Sequence, residues 1–311
     1  MSALTRRRLL VASAATLAAT ALAGPARAEA PMPVVATFSI LGDLVARVGG
    51  DRVAVTTLVG PGGDAHVFQP KPADAQRLAA AEAIFVNGLG FEGWIDRLVA
   101  SSGTRAPVVV ASKGVTPIPA ADEDAGHDHG GHDHGAADPH AWQSVANVKL
   151  YVAAIRDGLA SVDPAGRASY EANASAFLAE LDGLETEVRA AISAVPAARR
   201  RVITSHDAFG YFAAAYGVEF LAPQGISTDA EPTAKGVAKL IAQIRREKIR
   251  AVFVESMADP RLVRRIAQET GVSLGGEIFS DSLSPKGGPA STYVDMVRHN
   301  VRLLTAAMVD S

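Results

Sequence analysis

The sequence predicts an α/β protein of two lobes, each a mostly parallel sheet flanked by helices, with one long rigid helix joining them. Three observations carry this expectation. Strand-like runs rich in β-branched residues alternate with helical stretches of about a dozen residues before residue 117. The same alternation resumes after residue 200. Between them lies a helical stretch of about 30 residues without a break, roughly 45 Å at 1.5 Å per residue. A chain of 311 residues also has room for about two domains.

Taken in order, residues 1–28 read as a signal peptide. Arg6, Arg7 and Arg8 precede an apolar run from Leu9, and Ala26-Arg27-Ala28 supplies a small-residue cleavage site. The apolar run is shorter than the roughly 20 residues that span a bilayer, so a cleaved leader is expected, exported by the general secretory or the twin-arginine route. Its removal takes away four arginines and no acid, moving the net charge from -3 to -7. An acidic chain without a basic block is not a nucleic-acid binder. The chain has no cysteine, which excludes disulfides, thiolate metal ligands and the lipid-bearing Cys of a bacterial lipoprotein. A monomer free in the periplasm is therefore expected.

Residues 29–160 form the expected first lobe. "PVVATFSI" (33–40), "RVAVTTLV" (52–59), "AIFVNG" (83–88) and "APVVVA" (106–111) are its strands. "LGDLVARVGG", "PADAQRLAAAE" and "FEGWIDRLVAS" are the helices between them, and "NVKLYVAAIRDGLASV" is its last helix. Residues 117–139 break the pattern: Pro, Asp, Gly and His dominate, and a disordered His/Asp-rich loop is expected. Residues 161–195 hold the linker helix, with Asp163 as cap and Pro164 at its start. Residues 196–311 form the second lobe, with strands at 200–205, 218–222, 250–256 and 272–279 and a closing helix in "STYVDMVRHNVRLLTAAMV".

Eight histidines concentrate the chemistry. His127, His129, His132 and His134 lie in "GHDHGGHDHG". His66 and His206 follow strands, where ligands of open α/β sheets bind, and His140 follows the polar loop. Glu255 and Asp281 also stand at strand ends. A single histidine in such a place is more often a hydrogen-bonded loop residue than a ligand. Recurrence of the arrangement in a chain without Cys is what suggests metal, since three imidazoles and a carboxylate make a tetrahedral shell suited to Zn²⁺.

"GPGGDAHVFQPKPAD", "DPHAW", "SHDAFGYF", "TDAEPTAKGVAKLI" and "STYVDMVRHN" occur in the order found in the zinc and manganese solute-binding proteins of ABC transporters, the metal-binding cluster A-I family. The chain resembles that family over nearly its whole mature length. The resemblance implies two α/β lobes on a long backbone helix, one metal ion in the cleft, and ligands at His66, His140, His206 and Asp281. It also implies delivery to an inner-membrane permease, with ATP hydrolysed by a separate subunit, and no enzymatic activity. Manganese-type relatives usually carry Glu where this chain has His206, so Zn²⁺ is expected over Mn²⁺. Two departures stand out: a disulfide found in some zinc-type relatives is impossible here, and "DPHAWQSV" lacks the second Asp-Pro that relatives commonly carry.

Asp64 and Asp207 are candidates to orient the neighbouring imidazoles, with helix capping as their commoner role. Glu255 is open between substitute ligand, outer acceptor and cleft-lining charge. The histidine tract is expected to be an accessory collecting arm, fed by a periplasmic zinc metallochaperone, or else a solvated loop. Protonation below about pH 6 is expected to weaken binding. Two other readings remain: a zinc buffer that meets no permease, and a zinc hydrolase, for which no motif such as H-E-x-x-H is present.

Overall fold

The computed structural model describes residues 30–120, 137–249 and 251–309. The expected signal peptide and His127, His129, His132 and His134 lie outside the described residues. Among those described, no helix is long and apolar enough to cross a membrane.

Two four-stranded parallel sheets form where the sequence placed eight strands. The first has the order β2-β1-β3-β4, with β1 Met32–Phe38, β2 Val53–Val59, β3 Ala83–Val86 and β4 Val108–Val110. The second repeats that order as β6-β5-β7-β8, with β5 Arg201–Ile203, β6 Glu219–Leu221, β7 Ala251–Glu255 and β8 Ser273–Ile278. The inner strands β1 and β3 are mostly apolar and buried on both faces, the pattern parallel sheets impose, with Thr37 the one polar residue among their buried positions. Helices α1 (Ser39–Gly49), α2 (Pro72–Ala79), α3 (Ile95–Ser102) and α4 (Val145–Val162) accompany the first sheet. Helices α6 (Gly210–Tyr216), α7 (Ala234–Glu247), α8 (Pro260–Thr270) and α9 (Tyr293–Val309) accompany the second.

The long helix α5 runs Arg167–Ser193, 27 residues. The expected cap and proline instead belong to a 3-10 turn, Pro164–Gly166, that leads into it: Asp163 accepts from the Gly166 N–H and from the Tyr170 hydroxyl, and it pairs with Arg52. The helix buries Tyr170, Ala174, Phe177, Leu181, Leu184, Val188 and Ile192, a stripe at three- and four-residue spacing. That stripe belongs to one continuous core containing the first lobe, α9 and one face of the second sheet. The other face of the second sheet has its own small core under α7 and α8, centred on Ile203, Leu240, Ile244 and Ile266. Leu181 is fully buried. Leu181→Ala is expected to cost about 2–5 kcal/mol, read as a lowered Tm.

The segment before α3 departs from the sequence reading, which continued the helix back to Phe91. Residues 87–94 instead form a loop with three consecutive left-handed residues, Gly88, Leu89 and Gly90, at φ +85°, +56° and +80°. The leucine there costs about 1–2 kcal/mol. Glu92 folds its carboxylate back onto the start of this loop, so helix propensity loses to a local tertiary bond. The described ends of the polar loop are also ordered: Pro119 bridges Ala137, and the Asp138 N–H donates to the Ile118 carbonyl at 2.9 Å.

The carboxyl ends of both sheets face one region. Ser39, the 60–71 loop, the 87–94 loop, His206, Glu255 and Asp281 all follow or end strands there, and this sets the position of the site.

Candidate metal centre

His66, His140, His206 and Asp281 converge, each offering one donor atom, with all donors within 4.8 Å of one another. His66 Nε2 lies 3.2 Å from His140 Nε2 and 3.3 Å from Asp281 Oδ2. His206 Nε2 is 3.0 Å from Asp281 Oδ2, and His140 Nε2 is 3.6 Å from Asp281 Oδ1. A tetrahedral shell with bonds of about 2.0–2.1 Å needs its donors about 3.3–3.4 Å apart, so the spacing fits a four-coordinate ion. His140, His206 and Asp281 are fully buried, and His66 forms the slightly open edge.

Hydrogen bonding alone does not account for this cluster. His206 Nε2 and both Asp281 oxygens are buried with no hydrogen-bond partner, although the imidazoles crowd them out of line. Leaving such a group unsatisfied costs about 1–3 kcal/mol, more when it is charged. Four donors aimed at one point, three of their atoms orphaned, are what a cation would satisfy.

Two carboxylates hold the rings from behind. Asp138 Oδ1 lies 2.8 Å from His140 Nδ1 and also accepts the His140 backbone N–H at 2.9 Å. Glu255 Oε2 lies 2.6 Å from His206 Nδ1, close but off the ring N–H axis, and Oε1 accepts the backbone N–H groups of Ser205 and His206. The Ser280 hydroxyl donates to Glu255 Oε2 at 2.6 Å, tying the residue before Asp281 to the same carboxylate. Outer carboxylates of this kind fix ring orientation and raise ligand basicity.

Asp138 is not among the residues expected from the sequence. Its signal was present: Asp138-Pro139-His140 has the same spacing as Asp64-Ala65-His66. Both aspartates accept the backbone N–H of the histidine two residues on, at 2.9 Å. The candidates named for orienting rings do otherwise. Asp64 turns its second oxygen to the Thr228 hydroxyl at 2.7 Å and does not bond the His66 ring. The Asp207 backbone N–H donates to the Gly225 carbonyl, and the ring beside it is served by Glu255. Burial and the nearby Asp138 carboxylate push the Asp207 carboxyl above its usual range.

The site is wired across the lobes. Trp142 Nε1 and Gln143 Nε2, just past His140, both donate to the Ser280 carbonyl at 2.8 Å. The Gly62 N–H donates to Ser282 Oγ at 2.7 Å, and the Leu283 N–H to Ser39 Oγ at 2.9 Å. Asp281 is thus fastened to the first lobe on both sides.

Charge sets the protonation of the metal-free cluster. Burial alone would lower His140, but the Asp281 and Asp138 carboxylates outweigh it and raise the imidazole to about 9. Burial likewise opposes protonation of His206, and Glu255 and Asp281 reverse it, leaving that ring well above the ordinary histidine value. Asp281 is held well below the usual carboxylate range, since the two imidazolium rings outweigh its burial. His66 is lowered, chiefly by burial. The sequence reading placed proton competition below about pH 6; the carboxylates around His140 and His206 move it upward.

The family described as ZnuA, zinc-uptake complex component A, periplasmic, matches residues 34–307. The manganese-binding lipoprotein MntA of Halalkalibacterium halodurans is 33% identical over 270 residues, covering 87% of this chain and 86% of that protein. The iron-binding protein YfeA of Yersinia pestis is 32% identical, covering 94% and 92%. Among solved structures, the periplasmic zinc-binding protein TroA of Treponema pallidum superposes with a TM-score of 0.81 at 30% identity, covering 89% of this chain and 99% of that one. One of these relatives is named a lipoprotein, so the comparison does not bear out the expectation of an unlipidated protein.

Proposed function

The chain belongs to the ZnuA family of periplasmic metal-binding components of ABC transporters, and from that premise we propose that its cargo is Zn²⁺, held by His66, His140, His206 and Asp281. Members of the family bind substrate for permease components and are not enzymes, and divalent metal binding follows from membership. The observation that carries the zinc reading is the donor set, three imidazole nitrogens to one carboxylate. Imidazole suits Zn²⁺, whereas the harder Mn²⁺ prefers oxygen, and Zn²⁺ binds N/O sites more tightly than Mn²⁺ in general. Four protein donors also close the shell, unlike a catalytic zinc site with its open water position.

Manganese is the second reading, favoured by the similarity to the manganese-binding lipoprotein MntA. Metal analysis of the protein isolated from its own periplasm separates the two, because Zn²⁺ outcompetes Mn²⁺ at N/O sites in vitro whichever ion is carried. Zinc is expected as the bound metal; protein that carries Mn²⁺ instead would reject the zinc assignment. In the cell, deletion of the gene is expected to slow zinc uptake under chelation. Unaltered uptake would leave a buffer rather than an importer component. The proposed carrier acts as a monomer and hands the ion to an inner-membrane permease, with a periplasmic metallochaperone as donor.

A further inference from the structure

We infer that Glu92 is a positioning residue for the metal centre: its buried carboxylate locks the 87–94 loop, and that loop sets the placement of His66 and His140 relative to each other. The inference rests on the four-donor reading of the site.

The loop touches both first-lobe ligand segments, each at the peptide just before the histidine. Asn87 Nδ2 donates to the Pro139 carbonyl at 2.9 Å, in a buried bond. Trp94 Nε1 donates to the Ala65 carbonyl at 2.7 Å, also buried. Between these anchors, Phe91 stands edge-on to the His66 ring, with centroids 4.7 Å apart, and packs on Trp142 at 4.8 Å. One eight-residue loop therefore carries two brackets and a wedge for the two imidazoles.

Its backbone is not one the chain adopts unaided, given the left-handed run Gly88-Leu89-Gly90. Glu92 is what closes it. Oε1 accepts the Thr37 hydroxyl at 2.5 Å and the Asn87 N–H at 2.6 Å, and Oε2 accepts the Gly88 N–H at 3.2 Å. Thr37 and Asn87 are fully buried, Glu92 is nearly so, and no Lys or Arg pairs with the carboxylate among the described residues. A buried carboxylate served only by backbone and hydroxyl dipoles is costly to keep, so its place calls for a role. Asn87 is locked in turn by the Tyr151 hydroxyl, which donates to its Oδ1 at 2.6 Å. Glutamine cannot substitute fully: its amide offers one acceptor oxygen and sets an N–H₂ against a donor.

The test uses the full chain with Zn²⁺ for affinity and Co²⁺ as a spectroscopic probe of ligand geometry. Glu92→Gln is expected to weaken Zn²⁺ binding about 10–100-fold, the range for a lost outer partner, and to shift or weaken the visible bands of bound Co²⁺. Thr37→Val, which removes one donor and keeps the carboxylate, is expected to do the same to a smaller degree, and it carries the test alone if Glu92→Gln does not fold. Leu181→Ala, remote from the loop, controls for stability: it lowers Tm and leaves the Co²⁺ bands unchanged. Parent-like affinity and bands in the loop variant that folds would overturn the inference, as would bands that move equally in Leu181→Ala. His206→Ala separates the two readings. If its Co²⁺ bands match the parent, the four-donor reading fails; if they differ while the loop variants do not, only the role of Glu92 fails.

Discussion

Asp281→Ala is expected to lower Zn²⁺ affinity at least about a hundredfold at pH 9, and by less at pH 7. Two effects oppose each other in this variant. The site loses its only anionic donor, the group that lies within 3.6 Å of all three imidazoles. Loss of an outer partner alone costs about 10–100-fold, and removal of a donor costs more. Against that, Asp281 is a main reason that His140 and His206 hold protons in the metal-free protein. Without it, less work is needed to deprotonate them before the ion binds. With His140 at about 9, proton competition at pH 7 weakens binding by about a hundredfold for that ring alone, and part of this is recovered in the variant. The donor term does not depend on proton competition, so the deficit widens as pH rises. Competition titrations of parent and variant at both pH values measure it. Equal affinities at pH 9 would remove Asp281 from the ligand set; a deficit that is constant with pH would mean that Asp281 does not govern the imidazole protons.

The strands were legible because β-branched runs mark buried parallel strands. Strand-end position suggests His66, His206, Glu255 and Asp281 alike, and it is the family resemblance that singles out His66, His140, His206 and Asp281, the four that the structure brings together. The partners behind the rings were not legible. Asp64-Ala65-His66 and Asp138-Pro139-His140 are locally alike, and both make the same turn bond to the histidine N–H. They diverge only through distant contacts. The Asp138 peptide is pinned by Ile118 and by the Tyr211 hydroxyl, while the Asp64 carboxylate is taken by Thr228, 164 residues away. The false helical start at Phe91 has the same origin, because Thr37 lies 55 residues from the carboxylate that holds the loop. The separation into lobes was legible and the continuity of the core was not. α5 has a readable stripe, but nothing in that stripe shows that it also meets α9 and the second sheet.

Raising the pH from 6.5 to 9 is expected to tighten Zn²⁺ binding while destabilising the metal-free protein. His140 sits at about 9 in the folded metal-free state against an ordinary value of 6.5. A raised value means that the folded state holds the proton more tightly than the unfolded chain does. That contribution to stability is complete below 6.5 and is lost as pH climbs through about 9. His206, also raised, acts in the same direction. Asp281 expresses the same attraction from the acid side: its depressed value contributes stability above 3.8 that is lost only in stronger acid. His66 is lowered and already neutral near pH 7, so it releases no proton on binding there. The metal-loaded protein has exchanged those protons for the ion, so its stability lacks this dependence. Apparent affinity should rise about tenfold per pH unit for one proton released and about a hundredfold per unit where both rings release one. Calorimetric titration in buffers of different ionisation enthalpy counts the protons directly. Thermal melts with and without Zn²⁺ should diverge as pH rises, since the metal-free Tm falls while the loaded Tm holds. A metal-free Tm that is flat from pH 6.5 to 9, with no proton released at pH 7, would mean that the imidazoles are neutral before the ion arrives.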